Sequence, residues 1–491
     1  MRSSKQFTAR RLVRAAAMVI LPLFLSSCAV GPNYQRPKVN TPAAYRGAEG
    51  PSQQASLADL AWWEVFKDET LTGLVKTALT NNYDVGIAVT RVEQEREMVA
   101  EARAQYFPAV DYKTQLTAGR NQFQFSPSSG TTDVTGFLAA LASASWEIDL
   151  WGRIRRLNEA ARAQYLSTDE VRRGVLLTVM SDTSQAYFQY LGLQLQLAIA
   201  RNNAHAFGES RKLFEEKLQG GVASLLPVSR ATADEAAAAA QIPELERQIA
   251  VTENEMSVLL GKNPGPIETN ANLLGETLPP EVPAGLPSAL LERRPDVLSA
   301  EQTVHYANAQ IGVATAAFFP QIGLTAFAGK ISSPLSAATA GFTNAWSAGT
   351  NLSGPIFEGG RLRAQKRQAI AAWRQATLQY QQSALSAFQD VSNALISREK
   401  YEGIRVEQAR AVEAQQTAVR IAQKRYLQGL SSYYEVLEAE EQLYPRELSL
   451  AQTELNQRLV IVQLYKALGG GWNLTDAQWT AANTQAGIQK R

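Results

Sequence analysis

The chain has 491 residues, of which 45% are hydrophobic and 19% are charged. Its 48 lysines and arginines nearly balance its 46 aspartates and glutamates, so the charge gives no reason to expect a nucleic acid partner. One cysteine and two histidines exclude a disulfide framework and a cysteine metal cluster, and they disfavour a histidine-based site. The composition argues against most enzymes, and we predict neither catalytic residues nor a bound metal.

The first residues have the features of a secretory signal peptide, which we place at residues 1–27. Five basic side chains lie within the first fourteen residues, and a short apolar stretch, residues 15–25, follows them. This stretch is too short to span a bilayer, because a spanning helix takes about 20 residues. We therefore expect residues 1–27 to direct export.

Cys28 follows this pattern directly and resembles the lipobox cysteine of bacterial lipoproteins. The resemblance implies that Cys28 becomes the mature N-terminus and carries an N-palmitoyl and an S-diacylglycerol group. Residue 29 is alanine rather than the aspartate that retains such lipoproteins at the inner membrane, which favours the outer membrane. We expect no cofactor other than this covalent lipid.

The remaining chain contains one pattern twice. Three landmarks recur in the same order at offsets of 208 to 212 residues: 104–108 with 316–320, 150–155 with 358–363, and 218–220 with 427–429. A Pro/Gly-rich stretch separates the two copies. The predicted segments are a lipidated extended segment (28–60), a first repeat (61–265), a linker (266–285), a second repeat (286–470) and a tail (471–491).

Each repeat has the pattern of a helix, a β-hairpin and two further helices. In the first hairpin, residues 109–151, apolar and polar side chains alternate, which indicates strands with one apolar and one polar face. The second hairpin, residues 320–357, has a weaker return strand. The predicted helices are residues 68–105, 156–219, 228–260, 361–428 and 433–468.

The two long helices have the apolar spacing of a coiled coil. Residues 156–219 and 361–428 contain no proline and would be about 96 and 102 Å long at 1.5 Å per residue. They exceed the hydrocarbon thickness of about 30 Å and are too polar for lipid, so we place them in an aqueous compartment. Pro243 and Pro445 fall inside the return helices, where we expect a kink or a lost hydrogen bond.

The four predicted strands are long enough to cross a bilayer. Open sheet edges cannot exist in lipid, and four strands cannot close a barrel around a pore. Either the hairpins lie outside the membrane or several chains share one barrel, and the second alternative requires an oligomer. In such a barrel the polar faces would line the lumen. The charged lumen residues that we predict are Asp111, Lys113, Glu147 and Asp149.

Several short motifs occur together in one known family. They are Gly31-Pro32-Asn33-Tyr34, the duplicated Phe-Pro strand starts, the Gly-Gly-Arg at 359–361, Arg425-Tyr426-Leu427-Gln428-Gly429 and Leu468-Gly469-Gly470-Gly471-Trp472. With these motifs the chain resembles the TolC-like outer-membrane factors of the NodT/OprM type over essentially its whole mature length. The resemblance implies a mixed α/β membrane protein. It would be a homotrimer with four strands per chain, whose twelve-stranded β-barrel is continuous with a long periplasmic α-helical barrel.

The resemblance also implies a function. Members of this family are exit ducts of tripartite efflux pumps, in which a periplasmic adaptor (a membrane fusion protein) joins the duct to an inner-membrane transporter, here expected to be of the RND type. The expected location is the bacterial outer membrane, with contact to its lipid and an extension into the periplasm. We expect passive conduction of small toxic compounds such as drugs, and no enzymatic activity.

Two groups of residues can be carried over from the family by position. Glu438 takes the acidic place that faces the pore at the closed tip, and Tyr434 takes the bulky place one turn earlier on the same helix face. Three copies would form a ring of carboxylates beside a ring of aromatics; the alternative is a solvated acidic face. The adaptor-docking candidates at the helix turns, against plain turn chemistry, are Lys217, Gly220, Arg425 and Gly429.

Other functions stay open at this point. A periplasmic lipid-anchored coiled-coil adaptor or scaffold is one, although it would leave the hairpins without a purpose. A duct for type I protein secretion and a duct for metal-ion efflux are two more. A surface hydrolase is disfavoured because the sequence has no G-x-S-x-G motif or Walker loop. The sequence does not identify the exported compound.

Overall fold

The structure is a computed structural model that describes residues 29–48, 55–120, 134–275, 283–332 and 343–480. The chain divides into two compact units, each drawn from three stretches of sequence. The sheet unit comprises residues 1–37, 92–168 and 300–380, and the helical unit comprises residues 38–91, 169–299 and 381–491. Cys28 and the signal peptide lie outside the described residues.

The elements follow one order twice: a helix, two strands, a long helix and a shorter return helix. Both long helices have 67 residues and both return helices have 35. In chain order the elements are α1 (Trp62–Val65), α2 (Glu69–Asn81), α3 (Tyr83–Ala104), β1 (Ala109–Arg120), β2 (Val134–Ile148), α4 (Arg153–Gln219), α5 (Leu225–Leu259), α6 (Pro287–Leu290), α7 (Pro295–Ala316), β3 (Gln321–Ser332), β4 (Thr343–Ser353), α8 (Arg361–Leu427), α9 (Tyr433–Ala467) and α10 (Asp476–Thr480).

The strands form one antiparallel sheet in the order β1-β2-β3-β4. The register pairs Ala109 with Ser145 in the first hairpin, Ile148 with Ile322 between the repeats, and Gln321 with Ser353 in the second hairpin. The outer edges of β1 and β4 pair with no other strand in the described part of the chain. Each chain therefore presents two open edges.

The two faces of the sheet differ in polarity, but not along its whole length. One face has the exposed side chains of Val110 and Tyr112. The register places Asp111 and Lys113 on the other face, in the same cross-strand rows as Phe327 and Leu141. The polar face is therefore interrupted at these two apolar positions. Near the ends of the strands that adjoin the helices, the predicted alternation holds.

The first predicted helix, residues 68–105, is two helices in the structure. Asn82 separates α2 from α3 with an extended ψ of 132°. Its side-chain oxygen accepts hydrogen bonds from the backbone N–H groups of Asp84 and Val85, and its amide donates to the carbonyl of Leu259. An asparagine that caps the following helix in this way ends the preceding one.

The return helices α5 and α9 continue through Pro243 and Pro445. Helix α5 also begins three residues earlier than predicted, because Pro227 lies in its first turn, where the missing N–H has no intrahelical partner in any case. Fully buried side chains in the helical unit include Trp62, Met180, Tyr187 and Tyr465. None of the helices in the described ranges is long and apolar enough to cross a bilayer.

Candidate functional site

The turns that connect α4 to α5 and α8 to α9 carry the predicted gate and docking residues. In the first turn the N–H of Val222 donates to the carbonyl of Lys217 at 3.0 Å, and in the second the N–H of Leu430 donates to Arg425 at 2.9 Å. Each of these hydrogen bonds closes a turn of six residues, which is the arrangement that ends a helix at a glycine in the left-handed conformation. We call these two turns the tip.

The left-handed glycines are Gly221, with φ 73°, and Gly429, with φ 75°. The repeated Leu-Gln-Gly sequence would place the left-handed cap at Gly220, but Gly220 does not take a positive φ and the cap is the next residue. The sequence has two consecutive glycines at this turn, and only the hydrogen-bond closure decides which of them is left-handed.

An aromatic cluster joins the two hairpins at the tip; its members are Phe214, Tyr426 and Tyr433. The rings of Phe214 and Tyr433 meet edge to face at 4.2 Å between centroids, and those of Tyr426 and Tyr433 at 5.4 Å. The ammonium group of Lys217 contacts the Tyr426 hydroxyl and lies 4.2 Å from the centre of its ring. Edge-to-face pairs and cation–π contacts are each worth about 1 kcal/mol.

Tyr433 also begins a packing seam on α9. Its neighbours along the seam, Leu437 and Glu440, follow at spacings of four and three residues and are buried. Leu437 packs with Phe207 of α4 and Ala238 of α5. The seam therefore attaches α9 to the first hairpin, and it was not identified from the sequence, although its heptad spacing was the available signal.

The predicted gate residues lie outside this seam. Tyr434 is 61% exposed, and Glu438 is exposed with a weak contact of 3.4 Å from Gln442. They are one turn apart on α9, so they share a helix face as predicted. Both side chains are thus available to line a space outside the protomer, and their role in a gate stays a prediction.

The predicted docking residues have different surroundings. Lys217 is held against Tyr426, whereas Arg425 is half-exposed with only a 3.9 Å contact to Glu435. The structure adds an apolar surface at the tip that the sequence reading missed. Its exposed side chains are Val222, Leu225, Leu226, Leu427 and Leu430.

In the sheet unit, Asp111 and Lys113 are exposed on β1. Glu147, on β2, accepts two hydrogen bonds from Arg153 at 2.7 and 2.9 Å. Asp149 lies beyond the end of β2, and its carboxylate accepts from the N–H groups of Ile154 and Arg155. Asp149 is therefore a helix cap and not a strand residue, which explains why α4 starts at Arg153, and its place in the lumen stays a prediction.

The segment that follows Cys28 is fixed to the sheet unit. The N–H of Val30 donates to the carbonyl of Trp151 at 3.0 Å, three residues after the end of β2. The buried guanidinium of Arg156 donates to the carbonyl of Val30 at 3.3 Å and to the side chain of Asn33 at 2.9 Å. The described chain therefore begins, at Ala29, close to the strand ends.

Possible ligands for a metal are not grouped in the described ranges. No set of three or more His, Cys, Asp or Glu side chains there could hold an ion. His305 contacts Glu159 at 3.0 Å and stacks on Tyr34 at 4.5 Å between ring centroids, which is a packing role.

Comparison with known proteins identifies the protein family. The family described as "Outer membrane efflux protein" matches residues 74–262 and 286–470. The chain is 32% identical over 484 residues to the toluene efflux pump outer membrane protein TtgC of Pseudomonas putida, covering 96% of this chain and 98% of that protein. It is 31% identical over 456 residues to the cation efflux system protein CusC of Escherichia coli, covering 92% and 97%. The solved outer-membrane channel OprN matches with a TM-score of 0.82 and 31% identity, covering 91% of this chain and all of that one.

The chain therefore belongs to the outer membrane efflux protein family. It is an outer-membrane protein that extends into the periplasm. The resemblance to TolC-like outer-membrane factors, predicted from the short motifs, is confirmed.

Proposed function

We propose that the chain forms, as a homotrimer, the outer-membrane exit duct of a tripartite efflux pump. The observation that carries this proposal is the four-stranded sheet with two open edges. In lipid an unpaired edge leaves backbone groups without partners, at a cost of several kcal/mol each. Pairing β4 of one copy with β1 of the next removes both edges, and three copies supply twelve strands.

The internal duplication indicates which side chains meet between copies. Within one chain, the ring of Trp151 after β2 stacks on Phe319 before β3 at 4.6 Å. Phe107 occupies the place of Phe319 before β1 and is 69% exposed, and Phe357 after β4 is 88% exposed. Phe357 lies two residues before Gly359, the counterpart of Trp151, so in the trimer we expect Phe357 of one copy to lie near Phe107 of the next.

The variant Phe107→Cys/Phe357→Cys tests this contact. Mild oxidation in outer-membrane fractions is expected to give covalent dimers and trimers on a denaturing gel, and a reducing agent should return the monomer. The matched control, Trp151→Cys/Phe319→Cys, should cross-link within one chain and leave the mass unchanged. Only monomers from the first pair, together with an efficient intrachain bond in the control, would contradict the shared barrel.

At the tip we propose that Glu438 and Tyr434 restrict the passage, and that the exposed apolar surface with Arg425 and Gly429 docks a periplasmic adaptor. The buried contacts of Tyr433 and Leu437 hold the hairpins together, while the exposed position of Glu438 lets three copies approach a common axis. A ring of carboxylates disfavours anions and attracts cations. The adaptor would connect the duct to an inner-membrane transporter of the RND type.

We further propose that Cys28 carries the lipid anchor. Ala29 lies next to Gly152, directly after the sheet, so acyl chains on Cys28 would enter the leaflet in which the strands end. Replacing Cys28 with alanine is expected to abolish incorporation of labelled palmitate. Substitution of any other residue with serine or alanine should leave that incorporation intact. Equal labelling of the Cys28→Ala variant would exclude Cys28 as the acylated residue.

The cargo that we propose is a range of small toxic compounds, with no catalytic step in the chain itself. The name of TtgC refers to toluene and that of CusC to cations, so metal-ion efflux is the second candidate. Deleting the gene and measuring inhibitory concentrations separates them. Sensitisation to organic solvents and drugs supports the first candidate, sensitisation to metal ions alone supports the second, and unchanged inhibitory concentrations contradict both.

A further inference from the structure

Glu440 is a carboxyl group in a place where a coiled-coil seam normally has an apolar side chain. It follows Tyr433 and Leu437 on the seam of α9 and is 7% exposed. One carboxyl oxygen, Oε1, accepts a hydrogen bond from the amide of Gln423 on α8 at 2.9 Å. The other, Oε2, is enclosed and has no hydrogen-bond partner among the described residues. Burial raises the pKa of Glu440, and the Gln423 hydrogen bond only partly opposes this.

A second enclosed carboxyl group lies on the other hairpin. Asp234 occupies the seam of α5 between the buried residues Ala231 and Ala238, and its Oδ2 has no partner in the described ranges. Burial raises its pKa, opposed by Arg230. Burial, together with the nearby carboxylates of Glu440 and Asp234, raises the pKa of Tyr433 to about 12. Tyr433 therefore lies within electrostatic range of an acid from each hairpin.

Several cations around the tip lie near groups other than Glu440, and Arg230 is near Asp234. Arg211 pairs with Glu215 and Glu235, Arg425 is oriented towards Glu435, and Lys217 contacts Tyr426. The Glu440 carboxyl accepts a hydrogen bond from neutral Gln423 of α8, and Tyr433 from its own helix lies within electrostatic range of it. A charge on Glu440 would be buried without a counterion, which costs more than burying the neutral acid.

We propose that Glu440 makes the packing between the two tip hairpins depend on proton uptake, so that the tip is held together more firmly in acid than at neutral pH. This inference goes beyond the duct function and concerns the stability of the hairpin contact. If the duct function holds as well, the device would close the passage against an acidic exterior.

The direction of the pH dependence follows from the difference in proton affinity between the packed and the separated tip. When the hairpins separate, Glu440 meets water and its pKa returns towards the ordinary value of 4.5. The packed tip therefore binds the proton more tightly than the separated tip, and packing is most stable at a pH below both pKa values. As the pH rises above about 4.5, packing stability falls, and it stops falling once the raised pKa is passed. Each pH unit within this window changes the packing equilibrium by up to about tenfold.

Hydrogen exchange of the backbone amides from Tyr433 to Glu440 tests the proposal on the purified full-length protein. After correction for the intrinsic pH dependence of exchange, protection is expected to fall between pH 5 and pH 8. Glu440→Gln retains the shape and the side-chain hydrogen-bonding capacity without a charge, and it should remain protected at both pH values. The matched control, Glu441→Gln, changes an exposed neighbour and should behave like the wild type.

The same pH dependence in Glu440→Gln as in the wild type would overturn the proposal, as would its loss in Glu441→Gln to the same degree. If Glu440→Gln fails to fold, Glu440→Met fills the same space with an uncharged side chain and should likewise lose the pH dependence. The measurement does not involve transport, so its failure would leave the proposed duct function intact.

Discussion

Replacing Gly329 with alanine is expected to prevent stable pairing of β2 with β3. A Cβ atom at this position would overlap the carbonyl oxygen of Ala140 and lie 2.8 Å from the Cα of Leu141. Both are backbone atoms, so relief requires the strands to separate. This pairing holds the two hairpins in one sheet, and we expect a loss of about 3 kcal/mol or more, measured as a lower urea midpoint of the protein in detergent.

Gly349 provides the matched control. It lies on β4 of the same sheet, and a Cβ atom there would meet nothing within 4 Å. Gly349→Ala should leave the urea midpoint nearly unchanged, because neither glycine has a positive φ and an alanine adds no backbone strain. Equal midpoints for the two variants would show that β2 and β3 are not closely paired at Gly329.

Replacing Tyr433 with alanine is expected to loosen the tip and raise the open probability of the channel in planar bilayers. The change removes the ring contacts to both Phe214 and Tyr426 and leaves a cavity beside Leu437. Removing an aromatic ring of this kind costs about 3 kcal/mol. If packing holds the tip closed, the equilibrium between closed and open states shifts by about a hundredfold.

Two further variants separate packing from charge at the same place. Tyr433→Phe retains the ring and should leave conductance close to that of the wild type. Glu438→Gln lies on the exposed side of α9, outside this packing, and should reduce the preference for cations over anions. A Tyr433→Ala channel that remains closed would show that the aromatic cluster does not hold the tip.

The strands and the long helices were predictable because their signals are periodic. The alternation from Val110 to Leu116 locates β1, and the proline-free stretch after Arg361 locates α8, since neither pattern depends on distant residues. The open edges were also predictable, because four strands cannot close around a pore. These features follow from the local sequence pattern and from the number of strands.

Other features depend on contacts between distant residues. The end of β2 could not be read from alternation, because Asp149 continues the polar pattern but caps α4. The break at Asn82 depends partly on its hydrogen bond to Leu259, which is 177 residues away. Glu440 looked like one of several acids on a solvated face, and only its packing distinguishes it from the exposed Glu438 and Glu441.

The unpaired edges of β1 and β4 have a consequence for inheritance. In the proposed trimer every copy supplies one edge to each neighbour, so one damaged edge leaves the whole ring unsealed. When a damaged and an intact gene are expressed equally, only about one ring in eight would consist of intact copies. A mutation that prevents strand pairing at one edge but leaves the other edge able to pair should therefore be dominant.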